Sequence, residues 1–140
     1  MSVLGPQSGL FRHGPKQNNP GDTEMGTLTT HVLDTAQGKP GAGLRVDLYR
    51  WTDGRRKLVK SVATNHDGRC DEPLLEGGAF ETGEWELLFH VGRYFAMQSL
   101  DLPDPPFLYQ IPVRFAIARD DHYHVPLLVS PWGYTTYRGS

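Results

Sequence analysis

Hydrophobic and polar positions alternate along most of this chain from Thr27 onward. A period of two marks extended backbone, because successive side chains of a strand point to opposite faces. In "TLTTHVLD", Leu28, Thr30 and Val32 share one face and Thr29, His31 and Leu33 the other. "LRVDLYRW" sets Leu44, Val46 and Leu48 inward against Arg45, Asp47 and Tyr49, and "KLVKSVAT" reads as its return strand after the turn "TDG". "GEWELLFHV" collects Trp85, Leu87 and Phe89 on one side, and "LYQIPVRFAIA" alternates Ile111, Val113, Phe115 and Ile117 with Pro112, Arg114 and Ala116. "HYHVPLLVS" aims Tyr123, Val125, Leu127 and Val129 at a core and His122, His124 and Pro126 away from it, and "GYTTYRGS" supplies a last strand. Between these runs lie the turn signals "GKPGAG", "NHDGR" and Ser130-Pro131-Trp132. Only "GRYFAMQSL" suits a helix, and "DLPDPP" after it forbids both helix and ladder. Seven to eight short strands and one short helix predict an all-β fold, a two-sheet antiparallel β-sandwich.

The first 24 residues break this pattern. They carry four Gly and three Pro and no sustained period. This composition predicts a disordered leader over residues 1–24 and one domain over residues 25–140, with Met25 as a second possible start. A length of 140 residues suits a single domain. The single Cys70 excludes an intrachain disulfide and leans towards a reducing compartment. The formal net charge is -2 with no basic block, so neither nucleic acid nor a membrane surface is expected as a partner. Apolar runs such as "VPLLV" are too short to span a bilayer. With no secretory signal and no Ser-Lys-Leu terminus, a cytoplasmic location is expected.

The residues able to do chemistry cluster on the off-core faces and at the chain end. His122 and His124 are two apart on a strand and point the same way, His31 lies off the core face of the first strand, and Arg69 ends the "NHDGR" turn. Each has a plainer alternative as a solvated surface group. "HYH" is compatible with two metal ligands, but no third ligand is evident. Ser130 and Ser140 lack the nucleophile elbow, Cys70 lacks a cysteine-hydrolase signature, and His66 and His90 read as structural or surface residues. The chain closes on "YRGS", Tyr137 to Ser140, directly after a strand-like run rather than in a polar tail.

Taken together, "LTTHVLD", "TNHDGR", "HYHVPLLVSPWGY" and "YRGS" resemble the hydroxyisourate hydrolase family, the transthyretin-related enzymes of urate breakdown, over residues 27–140. Trp132 stands where a smaller aromatic is more usual, and the leader departs from the common form. The resemblance implies a transthyretin-like sandwich assembled as a homotetramer, a dimer of dimers, with sites in the channel between dimers. It implies hydrolysis of the small molecule 5-hydroxyisourate with no cofactor and no metal. It assigns catalysis to His31, Arg69, His124 and Ser140, and substrate binding to Arg69, Tyr137, Arg138, Gly139 and Ser140. His122 is expected to orient its neighbour. Histidine, with an ordinary pKa of about 6.5, suits proton transfer, and the planar guanidinium suits carbonyl and anion edges. Gly139 is expected to bring the backbone close to substrate, and Ser140 to offer a hydroxyl and the terminal carboxylate. Two other readings remain open. One is a transthyretin-like carrier that binds an aromatic ligand without turnover, and the other is a β-sandwich interaction module.

Overall fold

The computed structural model describes residues 26–139. The leader placed at residues 1–24, the start at Met25 and the terminal Ser140 lie outside the described residues. The alternating runs become ten strand segments: β1 (Thr27–Thr29), β2 (Val32–Asp34), β3 (Lys39–Pro40), β4 (Arg45–Thr52), β5 (Arg55–Ala63), β6 (Gly83–Phe89), β7 (Ile111–Ile117), β8 (His122–His124), β9 (Leu127–Ser130) and β10 (Gly133–Thr136). One α-helix, α1 (Val91–Ala96), follows β6, and a short 3-10 turn (Gly77–Ala79) precedes that strand.

One layer is the sheet β5-β4-β6-β7, antiparallel throughout. Its first hairpin turns at Asp53-Gly54, both at positive φ (52° and 74°), which is the backbone a two-residue β-hairpin loop demands. The other layer is the sheet β10-β9-β2-β3 extended by the pair β1-β8. Backbone N–H groups of Val125 and Leu127 donate to the carbonyls of Thr29 and His31 (2.9 Å each), so β1-β8 runs into β2-β9 without losing its partner. Here β1 with β8, and β2 with β9, pair in parallel inside an otherwise antiparallel sandwich. Joining these interrupted runs, β1 with β2 and β8 with β9, turns ten segments into eight strands, the seven alternating runs and the short β3.

The inward positions fill the core as their period requires. Leu28, Val32, Leu127 and Val129 from one layer meet Val46, Leu48, Leu87, Phe89, Ile111 and Ile117 from the other, all 2% exposed or less. Removing such side chains from water is the main favourable term in folding, about 1.5–3 kcal/mol per large aliphatic.

Four local readings need correction. Asp47 lies on the outer face of its sheet yet is buried, because Ser61, Arg45 and His90 close over its carboxylate at 2.6, 2.9 and 2.8 Å. "HYHVPLLVS" is not one straight strand. It breaks at Val125-Pro126, where proline has no N–H to give the ladder, and Pro126 is buried rather than sharing the histidine face. "GKPGAG" is more than a turn, since Lys39–Pro40 adds a two-residue strand along β2. The helix ends at Ala96 and never reaches Leu100. Its docking rests on buried Tyr94, whose hydroxyl donates to the buried Asp34 carboxylate (2.8 Å).

Candidate active site

Parallel pairing of β1 with β8 sets Thr27 opposite His122 and Thr29 opposite His124. Side chains at facing positions on one face of a sheet meet, and each threonine hydroxyl reaches the Nδ1 of its histidine. For Thr29 and His124 the distance is 2.8 Å. The two imidazoles lie nearly parallel, 12° apart with centroids at 6.5 Å. Thr30, on the opposite face, donates its hydroxyl to the Val125 carbonyl (2.7 Å) and fastens β1 to the chain just past β8.

The "NHDGR" turn brings the other two groups. Asn65 Oδ1 accepts from the backbone N–H of Asp67 (2.9 Å) and of Arg69 (3.1 Å), while the Asn65 N–H donates to the Arg69 carbonyl (2.7 Å). Gly68 sits at φ 77°, and a Cβ there would strike the Val32 carbonyl. Only glycine fits both the left-handed backbone and that close approach. The Gly68 carbonyl in turn accepts from the Val32 N–H (2.8 Å), and His31 and Arg69 face each other as a bridge pair. The turn also sets the His31 tautomer. Its Nε2 lies 2.9 Å from the Asp67 carbonyl, which only accepts, so Nε2 carries the proton and Nδ1 of the neutral ring is a free lone pair.

A cleft of about 420 Å³ opens over this face, lined by Thr29, Arg69, Cys70, Glu72, His122 and His124. Arg69 has no ion-pair partner among the described residues, so its guanidinium is available to a ligand. The half-buried His124 is harder to protonate than an ordinary histidine. Loss of solvent is the main cause, followed by the nearby Arg69, His122 and His31. Burial, with help from Asp71, pushes the Cys70 thiol up, away from a reactive thiolate. Among the described residues no three His, Cys, Asp or Glu side chains gather as metal ligands would.

The chain end is divided. Gly139 joins the site from behind. Its N–H donates to the His124 carbonyl (2.7 Å), and a Cβ at this position would stand 2.8 Å from the imidazole Cδ2. The close approach expected of Gly139 towards substrate is therefore also an approach to His124. Tyr137 and Arg138 line a separate cleft of about 260 Å³ beside β7. Arg138 donates to the His122 carbonyl (2.9 Å) and lies 4.0 Å over the Tyr123 ring. Within one chain the structure thus unites His31, Arg69, His124 and Gly139, with His122 alongside, and sets Tyr137 and Arg138 apart. His66 is exposed beside Asp67, and His90 is bound to Asp47. Sequence reasoning passed over Thr27, Thr29 and Asn65. The one available signal was that the Thr27/Thr29 spacing equals the His122/His124 spacing.

A β-sandwich carrying histidines and an arginine in one polar cleft belongs to a class that offers proton transfer and oxyanion binding without a serine or cysteine nucleophile. The HIUase/Transthyretin family profile matches residues 28–139, and the chain belongs to that family. It is 58% identical to 5-hydroxyisourate hydrolase 2 of Rhizobium meliloti over 119 residues, covering 84% of this chain and 99% of that protein. Among solved structures it resembles Klebsiella pneumoniae 5-hydroxyisourate hydrolase (32% identity, TM-score 0.69, covering 83% of this chain and 100% of that one). It also resembles sea bream transthyretin in complex with thyroxine (25% identity, TM-score 0.73, covering 81% of this chain and 94% of that one).

Proposed function

We propose that this protein hydrolyses 5-hydroxyisourate to 2-oxo-4-hydroxy-4-carboxy-5-ureidoimidazoline, a step of urate degradation. The observation that carries this reading is that Arg69 and His124 line one cleft, with His31 bridged to Arg69 and near enough to disfavour charge on His124. Water adds to the acyl carbon of the six-membered ring, the C–N bond breaks, the ring nitrogen takes a proton and a carboxylate remains. Each demand has a group to meet it. His31, with Nε2–H held by the Asp67 carbonyl, offers Nδ1 to a water proton. Arg69 binds the carbonyl edge and the charge that develops on it. His124, kept neutral by desolvation and by neighbouring positive charge, completes the proton-transfer pair. Ser140, outside the described residues, is assigned by this reading a hydroxyl that binds substrate, and the balance requires neither a cofactor nor a metal.

Assembly as a dimer of dimers accounts for the two groups that one chain keeps apart. β7 and β10 each end a sheet, and the Tyr137/Arg138 cleft lies between them. Sheet edges of this kind favour pairing with a second copy. In such a tetramer Tyr137 and Arg138 reach substrate in the channel between dimers.

The carrier reading accords less well with the cleft, whose lining includes Arg69, Glu72, His122 and His124, whereas ligand pockets are mostly apolar. The deciding experiment follows freshly made 5-hydroxyisourate by absorbance. Consumption well above the spontaneous rate is expected, and a rate equal to the spontaneous one retires the hydrolase reading.

A further inference from the structure

We propose that Thr29 is a positioning residue for this hydrolysis, its hydroxyl fixing the His124 ring so that Nε2, and not Nδ1, meets the substrate. The inference rests on the hydrolase reading for its kinetic part only. Three contacts define the ring. Thr29 Oγ1 occupies Nδ1 at 2.8 Å, Gly139 packs against the Cδ2 edge, and the His122 ring lies parallel alongside. Nε2 has no hydrogen-bond partner among the described residues, and His124 lines the cleft. An imidazole held at one nitrogen presents the other in a fixed direction, and the partner at the held nitrogen selects the tautomer.

A threonine does this differently from the carbonyl that holds His31. A carbonyl only accepts, so the His31 tautomer is fixed. A hydroxyl both donates and accepts. When Thr29 accepts from Nδ1–H, Nε2 is a lone pair ready for a proton. The proton taken at Nε2 makes the ring an imidazolium whose Nδ1–H still rests on Thr29, and Nε2–H then gives that proton to the leaving nitrogen. His124 thus takes and returns one proton without moving the ring. β-branched Thr29 is stiff at χ1 and sits on a paired strand, so the oxygen itself stays in place. The Thr27–His122 pair repeats the geometry one pleat away, but there the ring is exposed and no glycine packs against it.

The test compares Thr29→Val, which keeps the shape and deletes the hydroxyl, with Thr29→Ser, which keeps the hydroxyl. ¹⁵N NMR of the histidine rings reads the His124 tautomer across pH, independently of any turnover. Circular dichroism checks the fold, and Thr27→Val serves as the control. Thr29→Val is expected to change the His124 nitrogen shifts and to lower kcat by about 10–100-fold, by analogy with the loss of a partner that orients a metal-bound histidine. KM should hold, Thr29→Ser should restore both signals, and Thr27→Val should alter His122 alone. A folded Thr29→Val protein with wild-type His124 shifts, or with wild-type kcat, overturns the proposal. If Thr29→Val fails to fold, a Thr29→Ser protein that keeps its fold but not the His124 shifts overturns it as well. Absence of turnover in the unaltered protein would retire the hydrolase reading, and the NMR comparison would still decide whether Thr29 holds the ring.

Discussion

The proposed mechanism gives Arg69 and His124 distinct jobs that single substitutions separate. His124→Ala removes the proposed proton-transfer group, half-buried against β1, and turnover of 5-hydroxyisourate should fall by about 10²–10⁴-fold with the circular dichroism spectrum unchanged. A folded His124→Ala protein with near-normal kcat would take His124 out of the mechanism. The pH profile gives a second measurement. Desolvation first, then Arg69, His122 and His31, disfavour the charged His124 ring, so its neutral form persists to lower pH than an ordinary imidazole would. The part of the acid limb of kcat/KM that His124 sets should therefore lie below about pH 6.5, the unperturbed value. Arg69→Ala deletes one of these positive charges and should move that limb upward while lowering the rate. An acid limb that stays put on loss of Arg69 would detach it from His124.

The turn between β5 and the next stretch of chain governs the site at the scale of an element. Asn65 ties its backbone, the Asp67 carbonyl holds His31, and Arg69 leaves its end. Gly68 makes the turn possible. Alanine there must adopt φ 77° and push against the Val32 carbonyl. The left-handed backbone alone costs about 1–3 kcal/mol. Gly68→Ala should thus lower the urea midpoint and depress kcat together, because one displacement moves both His31 and Arg69. Gly43 is the control, since it also has a positive φ (73°) but a methyl added there would meet nothing within 4 Å. Its alanine variant should lose stability but not activity. Equal loss of activity in the two variants would show that the turn has no special hold on the site.

The whole molecule presents the edge strands β7 and β10 and several exposed aromatics, among them Phe107 stacked on Trp132, Tyr134 and Tyr137. A tetramer that pairs those edges would bury them and bring the Tyr137/Arg138 cleft towards a neighbour's site. Sedimentation velocity should give a tetramer, and specific activity should fall on dilution through the range where the tetramer dissociates. A monomer of full specific activity would mean that His31, Arg69 and His124 suffice, and that Tyr137 and Arg138 serve packing.

The period-two pattern determined much of the core that the strands supply, while Leu74, Leu75, Phe80 and Phe95 enter it from loops and the helix. Leu28, Val32, Leu48, Phe89 and Ile117 are buried where alternation placed them, because a strand has only two faces and one of them must leave water. The Asp-Gly turn was also legible, since positive φ has a chemical signature that needs no neighbour. The motifs "HYH" and "DGR" named His124 and Arg69 as candidates, but their meeting was a matter of which strands pair. No local feature of "TLT" or "HYH" states that they lie in parallel register, and without that register Thr29 has no histidine to hold. The burial of Asp47 was hidden for the same reason, as its partner His90 lies 43 residues away. Local alternation is set by the geometry of one chain segment, whereas register and charge pairing are set by long-range packing. Tertiary structure alone therefore decided which nitrogen each site histidine offers, and it separated Tyr137 and Arg138 from the cleft that Gly139 helps to shape.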